Sequence, residues 1–314
     1  MSIEAADTRS MTAASAFHHS WQQSLDEPFQ TPAYERWLDK ETRLLAIGSC
    51  FAVNFSRWIS LHDVNVYRPG WGLHYNPRSI LAELRRAAGL SAPEILWRSE
   101  GPDGVIWIDG MRHMVTGTTR EELLENRKRI GALSAEAFGE ANALLITLGL
   151  SEVWEELVHG QWSTLNRTPP DDLRRAAVHR SRFLTANEVV GTLHHIVDLI
   201  RSRRGNVPIT FTVSPVPLKE TFSMPDSRVA NVRSKAVLLT ALHELLDERR
   251  DERIAYFPAY EVFWGGQRAP GLWQRDGRHP TAEAIVTACR RFVDAFARNG
   301  ADFQNEVPFE VKKV

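Results

Sequence analysis

Five short apolar runs divide the middle of this chain: Leu44–Ile47, Val64–Tyr67, Ala143–Leu148, Ile209–Val213 and Ile254–Phe257. Near-continuous runs of this length suit strands covered on both faces, not strands with one wet side. Helical spacing fills the gaps between them. Val189, Leu193, Ile196, Val197 and Ile200 recur at helical intervals, as do Val229, Val232, Ala236, Leu239, Leu242 and Leu246. A helix over Phe51–Leu61 is expected after the first run. Another is expected over Thr281–Arg298, with Pro280 at its start, where a missing N–H costs little. Strands alternating with helices predict an α/β fold: a mainly parallel sheet with helices on both faces, a three-layer α/β/α sandwich. Residues 41–298 show no break in composition and read as one domain. Residues 1–40 are polar and weakly patterned and read as a loosely held arm; 299–314 read as an irregular tail. With 314 residues, 43% of them hydrophobic and 25% charged, the chain can bury a large core, which excludes a disordered chain or a small disulfide scaffold.

Each run ends in an unusual loop. Gly48-Ser49-Cys50-Phe51-Ala52 follows the first, and Gly70-Trp71-Gly72-Leu73-His74-Tyr75-Asn76-Pro77 follows the second. Gly149-Leu150-Ser151-Glu152-Val153-Trp154, Ser214-Pro215-Val216-Pro217 and Pro258-Ala259-Tyr260-Glu261 follow the others. Ligands of open α/β sheets bind beyond the carboxyl ends of the strands, so these loops share one rim and define a site before any chemistry is assigned.

Two constellations on that rim carry chemistry. Ser49 lies between a buried strand and a helix, after a glycine that allows a sharp turn. A serine there is either a helix N-cap or a nucleophile beside the first helical N–H groups, which can hold an oxyanion. Asp276-Gly277-Arg278-His279-Pro280 places an aspartate three residues before a histidine. It is either a loop carboxylate capping backbone beside a surface histidine, or an orienting acid and a base for a serine. Cys50 is the competing nucleophile, since a thiol at a helix N-terminus can have a lowered pKa; the alternative is a small buried residue. Arg278 reads equally as a loop arginine and as a holder of an anionic substrate group. Trp71, Tyr75, Trp154, Trp264 and Trp273 lie in the same loops, where they can line a sugar or acyl pocket or plug the core.

These motifs resemble the GSCFA domain family. The resemblance rests on Gly48–Ala52, Gly72–Pro77, Thr147-Leu148-Gly149 with Glu152, Thr212–Val216, Ser234-Lys235-Ala236, Tyr256–Glu261, and Asp276 with His279-Pro280, in that order. It spans about residues 41–296. That family is similar to SGNH or GDSL-like hydrolases of flavodoxin-like fold. The resemblance implies Ser49 as nucleophile, Asp276 as orienting acid and His279 as base. It also favours Ser49 over Cys50. An SGNH hydrolase takes an asparagine from its third block into the oxyanion hole, where this chain has Gly149-Leu150-Ser151-Glu152. Ser151, Asn76 and the backbone N–H groups of Ser49 and Gly72 are the alternative donors.

Other chemistries find little support. Gly70-Trp71-Gly72 lacks the third glycine of a dinucleotide fingerprint. His194-His195 with Asp198 reads as a solvated helix face, and Asp276 with His279 gives two metal ligands without a third; no metal or cofactor is expected. Lys plus Arg total 38 and Asp plus Glu 39, a formal charge of -1, so no nucleic-acid partner is expected. The two cysteines, Cys50 and Cys289, suit reduced thiols in a cytoplasmic protein, and the N-terminal stretch lacks a basic start followed by an apolar run. No apolar stretch is long enough for a membrane span. The expected activity is a serine esterase acting on an ester of a carbohydrate or small molecule through an acyl-serine. An O-acyltransferase with the same residues, or a catalytically silent carbohydrate-binding domain, is the alternative.

Overall fold

The computed structural model describes residues 34–101, 104–174, 176–250, 253–264 and 271–311. The five apolar runs form strands β1 (Arg43–Gly48), β2 (Asn65–Tyr67), β3 (Ala143–Leu148), β4 (Ile209–Val213) and β5 (Ile254–Tyr256). They make one sheet, all parallel, in the order β2-β1-β3-β4-β5. This is the flavodoxin-like order, in which the direction of winding reverses between β1 and β3.

Period-two alternation sorts the strand side chains into two cores. Leu45, Ile47, Leu144, Ile146, Phe211 and Val213 face one side. They meet helices α2 (Pro77–Ala87), α3 (Arg120–Glu140), α4 (Ala186–Arg204) and α5 (Ser227–Glu248) through Leu84, Leu123, Leu193 and Leu242. Leu44, Leu145 and Ala255 face the other side, against α1 (Cys50–Ser60) and α6 (Ala282–Phe296), where Phe55, Phe257 and Phe292 stack at ring distances of 4.4 to 5.1 Å. Each such side chain contributes roughly 1.5–3 kcal/mol by leaving water, so the layers hold by burial on both faces.

The structure departs from the sequence reading at several points. The start of α6 is capped by Thr281, whose hydroxyl accepts the Ala284 N–H at 3.2 Å; Pro280 lies before the cap. In the apolar series of α5, Val229, Val232 and Ala236 are exposed, whereas Leu242 is buried. The buried face is Ala230, Asn231, Ser234, Lys235, Leu238, Ala241, Leu242 and Leu245. Its first half is polar because these side chains hold neighbouring loops: Asn231 Oδ1 accepts the Leu218 N–H, and Ser234 Oγ accepts the Ser151 N–H.

Two antiparallel three-stranded sheets also went unread. One comprises Leu96–Gly101, Gly104–Asp109 and Thr116–Gly117; the other comprises Glu152–Val158, Gln161–Thr164 and His179–Phe183. They share a separate core of Trp97, Ile108, Met111 and Leu165. The rim loop after β3 is therefore short, with a strand beginning at Glu152. Of the expected arm, residues 1–33 lie outside the described part. Residues 34–40 are anchored: Leu38 is buried, and the N–H groups of Trp37 and Leu38 both donate to Phe296 O at 2.9 Å. The tail also contributes to the core through the buried Phe303.

Candidate active site

Gly48 ends β1 beside Thr147 of β3, at the switch point of the sheet. Its φ is +137°, and a Cβ there would lie 2.1 Å from Thr147 O, so only glycine lets the chain turn while the strands remain paired. Ser49 follows with extended backbone at the N-cap position of α1, yet its side chain does not cap the helix. The cap residues of the other long helices, Asn76, Thr119, Thr185, Asp226 and Thr281, all accept a backbone N–H. Ser49 Oγ is instead buried with no hydrogen-bond partner, and Ser49 lines a cavity of about 310 Å³. The local fold thus forgoes a cap worth about 1 kcal/mol to leave this hydroxyl open.

Asp276 and His279 form a closed unit. Asp276 Oδ1 accepts the N–H groups of Arg278 and His279, each at 3.0 Å, and Oδ2 accepts the ring Nδ1–H of His279 at 2.6 Å. The hydrogen bond from the His279 ring, with those from the two backbone N–H groups, holds the Asp276 carboxyl well below the usual range. Arg278 Nη1 donates to His279 Nε2 at 2.8 Å, and Arg278 Nε donates to Pro217 O at 3.0 Å. A guanidinium only donates, so Nε2 accepts and Nδ1 carries the hydrogen.

Ser49 and His279 lie at the same end of the sheet without a hydrogen bond between them. His279 lines a recess of about 20 Å³, Ser49 lines the large cavity, and Cys50 lines both. Burial pushes the Cys50 thiol up, against the lowering charges of Arg278 and Lys235, so it is not held as a thiolate.

The remaining sequence candidates divide. Arg278 lines the large cavity. Glu152 lines it too, but Oε1 is taken by the N–H groups of Phe222 and Ser223 and by the Ser181 hydroxyl. Asn76 lines the cavity; its Oδ1 accepts the Ser79 N–H, and one hydrogen of Nδ2 goes to Leu165 O. Ser151 is wholly buried and does not line the cavity; nor does Gly72. The Ser49 N–H is spent on Thr147 O at 3.2 Å. Of the donors read from sequence, the Ser49 N–H is occupied and Ser151 and Gly72 do not line the cavity, whereas the Asn76 amide keeps one of its two N–H hydrogens. Among the aromatics, Tyr75 and Trp154 line the cavity; Trp71 is core, and Trp264 and Trp273 pack with each other.

Two residues at the site had no assigned role. Lys235, fully buried, donates to Gly149 O at 2.7 Å and has no acidic partner among the described residues. Burial lowers its pKa to about 7, with Cys50 opposing and Arg278 reinforcing the drop. Gly149 lies against Ser49: a Cβ on it would be 3.2 Å from Ser49 Cβ. Its place in the Ser234-Lys235-Ala236 motif was the available signal. Asn166, buried on the cavity wall, donates Nδ2 to Leu73 O at 2.7 Å and has an unpartnered Oδ1; no motif marks it.

A family model for the GSCFA family matches residues 43–292, and the chain belongs to that family. No curated protein matches the chain. Among the described residues, no cluster of three or more His, Cys, Asp or Glu side chains could hold a metal ion, and no helix is long and apolar enough to cross a membrane.

Proposed function

We propose that this protein is a serine esterase acting on a small ester, with Ser49, His279 and Asp276 as its working residues. The observation that carries the reading is Ser49 itself: a buried, unpartnered hydroxyl at the switch point, declining the capping bond its position offers and lining a cavity. The Asp276–His279 pair supports it, because an oriented imidazole with Nδ1–H on a carboxylate is the tautomer a base needs.

In the proposed reaction Ser49 Oγ attacks the ester carbonyl and its proton passes to His279 Nε2. The tetrahedral intermediate collapses, the C–O bond to the alcohol breaks, and the alcohol leaves with that proton. Water then attacks the acyl-serine, giving a proton to His279; the acid departs and the proton returns to Ser49. Asp276 stabilises the imidazolium at both stages. The uncapped first N–H groups of α1 are the oxyanion donors, aided by the positive end of the helix. Each such donor is worth about 100- to 1000-fold in rate.

Hydrolysis of 4-nitrophenyl acetate by the wild type, Ser49→Ala and Cys50→Ala tests the assignment. Cys50→Ala retains turnover, whereas Ser49→Ala loses at least about 1000-fold. Turnover that survives in Ser49→Ala and vanishes in Cys50→Ala would transfer the role to the thiol.

A further inference from the structure

The nitrogen that must take a proton from Ser49 is already occupied. His279 Nε2 accepts from Arg278 Nη1 at 2.8 Å. Protonating that nitrogen beside a fixed guanidinium is opposed by like charge, so the base works only in the fraction of molecules in which Arg278 has withdrawn. Arg278 also has the means to respond to a ligand. It lines the large cavity, and its guanidinium has no carboxylate partner among the described residues, only Pro217 O and the imidazole. Across the cavity Arg167 is in the same position. Its Nη1 donates to His113 O at 3.3 Å, its buried Nε has no partner, and it forms no ion pair among the described residues. A guanidinium on a cavity wall with no direct carboxylate partner is free to take one from a ligand. Glu152 and Glu220 line the same cavity, but neither pairs with Arg278 or Arg167 among the described residues, and Glu152 Oε1 is spent on loop N–H groups.

We infer that the ester carries an anionic group, a carboxylate or phosphate, and that Arg278 couples its recognition to release of the base. The anion draws the Arg278 guanidinium off His279 Nε2 into a charge-assisted pair, with Arg167 as the second anchor, and the freed nitrogen turns to Ser49. A neutral ester does not shift the clasp and turns over only through the minor open fraction. Arg278 is thus a positioning and specificity residue, and the inference rests on the esterase reading above.

The test compares 4-nitrophenyl acetate with 3-carboxy-4-nitrophenyl acetate on wild type and Arg278→Gln, with fluorophosphonate labelling of Ser49 as a readout free of any substrate anion. The wild type favours the carboxylate ester by about tenfold or more in kcat/KM, the worth of one charge-assisted hydrogen bond. Arg278→Gln loses that preference, hydrolyses the neutral ester faster than wild type does, and labels at Ser49 several-fold faster. Cooperative melting like that of the wild type checks that the variant is folded. Arg167→Gln, which removes the second anchor, weakens the carboxylate preference. Equal preference and equal labelling rates in wild type and Arg278→Gln would overturn the inference while sparing the esterase reading. Absence of label on Ser49 in every form would overturn both.

Discussion

Ser49 and Lys235 are buried polar groups that a fold built for stability alone would not keep. The Ser49 hydroxyl is desolvated without a bond in return, a cost of about 1–3 kcal/mol. Ser49→Ala is therefore predicted to unfold at the same or slightly higher urea concentration than wild type while losing turnover; a loss of more than about 1 kcal/mol in stability would show that the hydroxyl is structural. Lys235 gives a pH signature. Its pKa is about 7 in the fold, held down first by burial, against an ordinary 10.5. Between those values the unfolded chain binds the extra proton, so stability rises as pH climbs from about 7 to 10.5 and is lost as pH falls back through that window. The full range is up to about 5 kcal/mol. Urea unfolding across pH 7 to 10 should show this slope in wild type and a flatter one in Lys235→Met. Equal slopes would mean that the ammonium is not buried as described.

The elements most easily read from sequence were those whose only work is burial. The runs at Leu44–Ile47, Ala143–Leu148 and Ile209–Val213 became β1, β3 and β4 within a residue, because buried parallel strands are apolar on both faces. Helix α5 follows its apolar series in its second half, where Leu242 is buried and Leu239 and Leu246 pack against the core, but not in its first. Asn231, Ser234 and Lys235 occupy inward positions to carry loops around the cavity, while Val229 and Val232 face out, so hydropathy pointed to the wrong stripe. The small sheets escaped notice for a related reason: Glu155 is 1% exposed yet ionic, and a segment such as Glu152–Val158 reads as polar loop. At the site, Ser49, Asp276 and His279 were legible through local motifs. Arg278 was marked as well, but its bond to the neighbouring His279 ring was not, because side-chain direction is fixed by the hold of Pro217 O on its Nε; Asn166 was not marked, because its role arises from contact with a distant segment at Leu73. The β1–α1 junction offers its own prediction. Gly48→Ala forces a positive φ and a clash with Thr147 O, so thermal melting should show a loss of about 3 kcal/mol or more, with Ser49 displaced. A variant of wild-type stability would mean that β1 and β3 pair less closely.

Across the whole molecule, the flavodoxin-like sheet sets the switch point, and the added sheet that begins at Glu152, with the loop after its second strand, builds one wall of the cavity through Trp154, Leu165 and Asn166. That wall is tied to the body by ions. Glu155 binds Arg78 of α2 at 3.2 Å, Arg180 at 2.7 Å and Arg182 at 2.9 Å. Burial alone would raise the Glu155 pKa, but the hydrogen bonds from Arg182 and Arg180 bring it below the ordinary value. Glu155→Gln leaves these arginines short of charge and should cost about 3 kcal/mol in denaturant titration while raising KM more than it lowers kcat. An unchanged KM would detach the small sheets from the site. The most direct measurement concerns Ser49: incubation of the purified protein with a fluorophosphonate, followed by peptide mapping. The account predicts one covalent phosphonyl group on Ser49, absent from Ser49→Ala and much reduced in His279→Ala. A label on another residue, or none on Ser49 at any pH between 6 and 9, would contradict it.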